Sequence, residues 1–526
     1  MALRVAVIGS GFAGTILARI LRRQGHEPVL IDRATHPRFA LGESSTPLAA
    51  ICLERLAQRY GLEDLGDMAA YGRWMAHMPE VRRGLKRGFT FYRHEPQQPF
   101  RNDVHNSHRL LVAASPHDGV ADSHWLREDV DSHLVRKAVV EGIEVLDRTV
   151  LSGLDVRSSG VRLTGTREGR SIDLTADLIV DGSGVGGFLA GVLPLADRMN
   201  DVGLDTRLVF SHFQGIRPIE EVADAAMLVP GPYPDERAAV HHILDEGWMY
   251  VLPFDHGVVS AGVVFEPGAL PPEAARLPAD GLWRWFLDRY PTLGAQFREA
   301  TATRPSALLP RLQRRLERAA GPQWALLPHA FAFWSPLFST GIAWSLVAIE
   351  RLADALEGVS RVPQAALQRY GDLLQTEADH LLEIVDGAYR CRRDFDLFAA
   401  YSYLYFAAAS FGEASQRLLR QPPGGGAWCW AGFLGATDPV IQEMTRRSHD
   451  LVNAPPADAR AAMRAIIAQR NVAGLADPAR ERMYPVDLEC LVGQSELLGL
   501  SAVEIQAALP RLRGTPFTGV SSLLHE

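Results

Sequence analysis

Cysteine is scarce in this chain and never paired. Cys52, Cys391, Cys429 and Cys490 are scattered over 526 residues with no C-x-x-C spacing. That leaves no disulfide framework and no thiolate metal signature, and it suits a reducing cytosol. Long apolar runs are absent too. None approaches the ~18 residues that a membrane-spanning helix requires. The first apolar strand starts a few residues after Met1, which leaves no room for a signal peptide. A cytoplasmic protein is therefore expected. Positive charge is not in excess, because 54 Lys and Arg face 62 Asp and Glu, for a net charge of −8. A general nucleic-acid binder would be basic. There is no internal repeat and no long low-complexity tract.

What remains is the composition of a water-soluble globular protein, 47% hydrophobic and 22% charged, long enough for one large α/β unit with additions or for several domains. The most informative stretch is Val5–Gly14. Val5, Ala6, Val7 and Ile8 form a short apolar strand, and Gly9, Gly11 and Gly14 follow in G-x-G-x-x-G spacing. A helix with Ile16, Leu17, Ile20 and Leu21 on one stripe comes next, then a second strand, Pro28–Ile31, ending at Asp32. Strand, glycine turn, helix, strand and an acid about 20 residues on form the dinucleotide-binding fingerprint in its required context. Gly9 permits the tight turn, Gly11 admits a pyrophosphate and Gly14 lets helix and strand pack closely. Phe12 and Ala13 begin the helix, whose N-terminal N–H groups favour an anion. Asp32, with Arg33 beside it, is placed to meet a ribose. The fingerprint alone does not separate NAD from FAD.

Further along, Gly42 and Ser44–Thr46 are small residues suited to a loop lying against a ligand. Arg82–His94 ends in an alternating stretch, with Phe89 and Phe91 on one side and Thr90 and Tyr92 on the other, which predicts a strand. Asn102–Ser115 reads as loop, Trp125–Lys137 as helix, and Leu178–Gly184 as a buried strand entering a glycine turn. Residues 206–265 read as an antiparallel layer, with a hairpin turn at Asp255-His256-Gly257. From Gln364 onward the pattern is mainly helical, with breaks at 421–426 and 453–456. The expected organisation is α/β: a Rossmann-like core over 1–357, with an antiparallel substrate-side sheet near 206–265, and a helical C-terminal region over 358–526. Those last helices would cap a substrate pocket or form an oligomer surface; monomer and homodimer both stay open.

Three segments together resemble the FAD-binding fold shared by aromatic hydroxylases and flavin-dependent halogenases: Gly9–Gly14 with Asp32, Arg127 with Val130-Asp131, and Asp181-Gly182-Ser183-Gly184. The resemblance covers most of residues 1–357. It implies FAD, with Arg127 near the flavin and the D-G-S-G turn around the cofactor. No second G-x-G-x-x-G marks an NADPH domain.

A fourth segment, Phe333-Trp-Ser-Pro-Leu-Phe-Ser-Thr-Gly341, resembles the halogenase motif F-x-x-P-x-x-S-x-G through Phe333, Pro336, Ser339 and Gly341. Gly341 opens a helix running to Leu356, with Ile342 inward. Thr340 and Gly341 would offer N–H groups to a halide, chloride or bromide, or to the reduced flavin ring. Pro336 and Ser339 would shape a passage. Lys86, by its K-x-x-x-x-F spacing to Phe91, resembles the catalytic lysine of that family. Reduced flavin, dioxygen and halide would yield hypohalous acid, which Lys86 would hold through its ammonium or, as a neutral amine, take up as a haloamine. As a sequence feature alone, the run Arg82, Arg83, Lys86, Arg87 reads as a solvated basic face.

The sequence departs from the family in three places. The W-x-W-x-I-P box is Trp248-Met-Tyr-Val-Leu-Pro253, so Tyr250 and Leu252 replace a Trp and an Ile. Phe338 stands where tryptophan-specific members carry a glutamate, as in phenol- and pyrrole-type relatives. Pro328-His329 replaces the usual G-D, whose Asp meets the ribityl chain, which suits an enzyme that borrows reduced FAD from a separate flavin reductase. The resemblance implies halogenation of an electron-rich aromatic, phenolic or pyrrolic, free or carrier-bound, with Phe89, Tyr92 and Trp334 on the substrate side and Ser44 and Ser45 against the cofactor. The alternatives are an FAD monooxygenase hydroxylating an aromatic small molecule or a protein tryptophan, and a non-catalytic flavin-binding protein.

Overall fold

A computed structural model describes residues 2–157, 160–199, 202–224, 228–422 and 425–512; residues 423 and 424, inside the predicted break at 421–426, lie outside them. The dinucleotide unit forms as expected: strand β1 (Arg4–Ile8), helix α1 (Phe12–Arg23) and strand β2 (Glu27–Ile31). β1 lies between β2 and the Leu178–Asp181 strand, all parallel, with Ile8 level with both Ile31 and Asp181. That register brings both predicted glycine turns to the carboxyl end of one sheet, where α/β sheets bind ligands. The six-stranded sheet is completed by β7 (Glu144–Leu146) beyond β2 and by the Trp324–Leu326 and Ala320–Gly321 strands on the other side.

The second layer is larger than residues 206–265. It is a nine-stranded sheet in which the Ala239–Ile243 strand runs parallel to β4 (Gly88–Arg93), and β4 pairs with β5 (Arg109–Ala113). β5 corrects the expectation of a loop at 102–115: Leu110 and Leu111 are fully buried in the sheet interior. Its far edge is covered by Met483–Tyr484, a short strand within the otherwise helical C-terminal region. Hydrophobic alternation over so few residues is hidden between polar loops, and only pairing with a distant edge makes it a strand. A small antiparallel ladder, β3 (Arg83–Lys86) with β6 (Asp122–Trp125), sits between the layers. Trp125, expected to open a helix, ends β6, and the helix runs Arg127–Val140.

The larger apolar core runs from Leu3 to Ile505, and a second cluster, including Tyr92, Phe100, Phe213 and Trp283, is separate from it. The Thr340–Leu356 helix packs on α1 and α2 (Pro47–Tyr60), and it is tied to the Gln364–Cys391 helix by the fully buried Arg351–Glu377 ion pair and by Trp344 Nε1 donating to Glu377 at 2.8 Å. Such a pair is costly to strip of water and costlier to break, so it fixes the register of those two helices. No helix among the described residues is long and apolar enough to cross a membrane.

Candidate active site

The cofactor end is built from turns that only glycine satisfies. Gly9 has φ +94°, and a Cβ there would lie 2.7 Å from the Gly182 carbonyl oxygen. A Cβ on Gly14 would lie 2.0 Å from the Gly9 carbonyl oxygen, so α1 crosses β1 at backbone contact. A Cβ on Gly11 would meet only Arg127 and Asp131 side-chain atoms, at 3.4 and 3.6 Å. Arg127 is laid over this turn: its guanidinium donates to both Asp131 oxygens and to the carbonyls of Leu41 and Gly42, and stacks on Phe12 at 4.7 Å. Asp131 also accepts from the Phe12 N–H. Ala13 follows, half-buried. The open glycine turn, the helix N-terminus and the arginine over them fit a dinucleotide pyrophosphate.

Asp32 ends β2 as expected, held by the Ser10 N–H at 2.7 Å and hydroxyl at 2.8 Å, and by Arg38 at 2.8 Å. Despite its burial, the Ala34 and Ser10 N–H groups and Arg38 keep its carboxyl below the usual range. Arg33 is exposed and lies beside the Gly184–Gly186 turn. Asp181 is buried, which raises its carboxyl, and its oxygens accept from Ser183 and Leu189 within its own turn. It shapes the loop, with Gly182 packed against Ile8 and Gly14.

The Thr340–Leu356 helix begins as expected. Ser339 caps it in the left-handed region, φ +53°, after its N–H closes a turn on Pro336. Thr340 and Gly341 are half-buried and Ile342 is buried. Gly341 has a steric reason to be glycine: a Cβ would lie 2.7 Å from His329 Nε2. Burial and the nearby Arg127 pull the His329 imidazole down to about 4, so it is neutral at pH 7. A neutral imidazole therefore stands where the family motif has an acid.

Lys86 is not on a solvated face. Its side chain is 0% exposed. Nζ donates to the Ser45 carbonyl at 2.6 Å and sits 4.0 Å from the centre of the Phe89 ring. Burial pulls the amine below the usual lysine range, and Asp122 opposes the shift. His124 and His241 nearby are held to about 3 by burial and by Lys86 itself. Three consecutive residues join the two ends. Ser44 accepts from the Ser339 hydroxyl at 3.1 Å, Ser45 carries the carbonyl on Lys86, and Thr46 lines a cavity of about 670 Å³. Phe89, Tyr405 and Phe406 form one wall of that cavity, and Pro485, Val486 and Leu488 of the C-terminal region form another. Two ion pairs, Glu54–Arg73 at 2.7 Å and Glu413–Arg417 at 2.8 Å, also line it. Phe338 stacks on Tyr405 at 4.4 Å.

Two expected substrate residues lie elsewhere. The pleat of β4 that turns Phe89 to the cavity turns Tyr92 to the opposite face, where its hydroxyl bonds Asp235 and its ring packs on Phe100 and His242. Trp334 is buried beneath the Gln364–Cys391 helix, its indole N–H donating to the Ala378 carbonyl at 2.7 Å. Trp248, Tyr250 and Leu252 share one face and belong to the core, with Trp248 Nε1 bonded to the Tyr389 hydroxyl at 2.7 Å. Asp122 escaped sequence reading, whereas the C-terminal wall is where a cap from the last helices was expected. A signal for the lysine was present in composition: of 54 basic residues, only Lys86 and Lys137 are lysines.

A dinucleotide turn roofed by an arginine, a second helix N-terminus and a buried amine beside a cavity define the site of a dinucleotide-binding enzyme. Comparison places it further. Residues 123–400 match the family model described as tryptophan halogenase, and the chain belongs to that family of flavin-dependent halogenases. It is 28% identical over 419 residues to the monodechloroaminopyrrolnitrin halogenase PrnC of Pseudomonas fluorescens, covering 78% of this chain and 71% of that one. It is 27% identical over 380 residues to the tetracycline 7-halogenase of Kitasatospora aureofaciens, covering 71% and 66% respectively. The fold is shared with the halogenase PltM, crystallised with phloroglucinol and FAD: TM-score 0.82, 23% identity, 91% of this chain and 99% of that one.

Proposed function

We propose that this protein halogenates a small, electron-rich aromatic compound, phenolic or pyrrolic, that enters the 670 Å³ cavity as a free molecule. The observation that carries this reading is the burial of Lys86 between the Ser45 carbonyl and the Phe89 ring, immediately behind that cavity. A cavity of this size and mainly apolar lining suits a single small ligand. Phe89, Tyr405 and Phe406 leave its inner wall aromatic, with Phe338 stacked behind Tyr405.

Reduced FAD with dioxygen and chloride or bromide supplies the electrophilic halogen, and a flavin reductase supplies the reduced FAD. The chain's own residues divide the work. Gly9, Gly11, Phe12, Ala13 and Gly14 hold the pyrophosphate under Arg127, with Asp32, Arg33, Asp181 and Gly182 shaping the surrounding loops. Pro336, Gly341 and Ile342 set the second helix against the flavin, and the Thr340 and Gly341 N–H groups favour the halide. Ser44 and Ser45 link that helix to Lys86. The Lys86 ammonium donates a hydrogen bond to hypohalous acid and orients it toward a ring carbon held against Phe89. The ring carbon takes the halogen as the oxygen–halogen bond of the acid breaks, and the hydroxide released leaves with the displaced ring proton as water.

The test supplies reduced FAD, oxygen and bromide with a panel of free and carrier-bound phenols and pyrroles, followed by product mass. Brominated product from free substrates, lost in Lys86→Ala, is the expected result. Oxygen insertion indifferent to bromide would establish a monooxygenase instead. Rapid NADPH consumption by the purified chain alone would dismiss the separate reductase.

A further inference from the structure

We propose that Asp122 is the positioning partner of Lys86, and that its carboxylate, across the β3–β6 ladder, is the counter-charge that keeps the proton on the buried amine. The inference rests on the reading above, in which Lys86 works as a cation. In the antiparallel register Lys86 stands directly opposite Asp122, and directly opposed residues project to the same face of a ladder. Lys86 is 0% and Asp122 4% exposed. Among the described residues Asp122 Oδ2 has no hydrogen-bond partner. A buried carboxylate with an unused acceptor atom is costly unless it serves a charge.

Among the described residues the surroundings leave no other counter-ion. From β6, His124 faces the amine, and from the Ala239–Ile243 strand, His241; both are neutral at pH 7. From the Phe395–Leu418 helix come Tyr405, Glu413 and Arg417, and Glu413 is already paired with Arg417 at 2.8 Å. Phe338, stacked on Tyr405, carries no charge. The Ser45 carbonyl and the Phe89 ring both favour an ammonium but carry no net charge. Burial pulls Lys86 down and pushes Asp122 up, and each is the largest influence opposing the other's shift.

The chain's two lysines make the test direct. Lysine labelled with ¹³C at Cε gives two side-chain signals, one from buried Lys86 and one from Lys137, which is exposed and serves as an internal standard. In Asp122→Asn the Lys86 midpoint is expected to fall by about one pH unit or more, a tenfold change in its proton equilibrium, while Lys137 stays put. The alkaline limb of the bromination profile falls with it, flavin affinity does not change, and Asp122→Glu restores both. An unmoved Lys86 midpoint, or a loss of rate equal at every pH, overturns the inference. If the Asn variant yields no flavin-binding protein, Asp122→Thr is titrated by the same criteria. A midpoint that shifts in a protein brominating no substrate would leave this inference standing and remove the functional reading instead.

Discussion

The cofactor end and the lysine end treat buried charge in opposite ways. At the cofactor end every buried carboxylate is matched, although Arg38 Nε and His36 Nδ1 have no partner among the described residues. Arg127 meets Asp131 and two carbonyls, Asp32 meets Ser10 and Arg38, and Asp181 is closed by its own turn. At the lysine end Lys86 has one carbonyl partner and a ring face, and Asp122 Oδ2, His124 Nδ1 and His241 Nδ1 have none among the described residues. Saturated polar groups hold a shape rigidly, whereas unsaturated ones keep capacity for a ligand or a proton. The difference supports the proposal that the first region is scaffold and the second carries the chemistry.

The sharpest way to break that contrast is Lys86→Ala. Halogenation should fall by about 10²–10³-fold, the usual loss for one positioned donor, with flavin binding by fluorescence titration unaffected. A comparable loss of flavin binding would mean that the two ends are not separate. Gly14→Ala attacks the scaffold. Its Cβ would press on the Gly9 carbonyl, so urea unfolding should show a loss of about 1–3 kcal/mol together with weaker flavin binding, and the residual bound enzyme should turn over normally.

Acid should expose the lysine end in a third way. His124, fully buried, is held down to about 3 by burial and by Lys86. The folded state refuses the proton that the unfolded chain accepts below its ordinary value, so stability is complete above about 6.5 and drains away as pH falls from there toward 3. Between pH 7 and pH 5 this group alone costs about 2 kcal/mol. His124→Gln should recover that difference in urea unfolding at the two pH values, whatever it does to activity.

The smallest effect is expected from Tyr92→Phe. It removes a buried hydroxyl from Asp235 on the far face of β4 and should cost about 1 kcal/mol of stability. KM and product distribution should hold, while Phe89→Leu changes both. A changed KM in Tyr92→Phe would reassign the cavity to the other face of the sheet.

The cofactor end was legible because its information is local. Gly9 through Gly14, Asp32 and the helix between them are contiguous, and each residue's role follows from backbone sterics that no distant contact alters. The Thr340–Leu356 helix was read from its own periodicity for the same reason. Asp122 and β5 were not legible, because an isolated Asp or a short apolar run acquires meaning only from the strand placed beside it. Tyr92 shows the same limit, since β4's alternation separated its two faces correctly but did not say which one borders the cavity.

By itself, then, the sequence determined the dinucleotide turn, the family motif and the presence of a candidate lysine, all carried by short-range geometry. Tertiary structure alone decided that Lys86 is buried rather than solvated, that Asp122 stands opposite it, and that residues from both ends of the chain wall one cavity. Burial and counter-charge are properties of the packed environment, and no residue carries them in its own spacing.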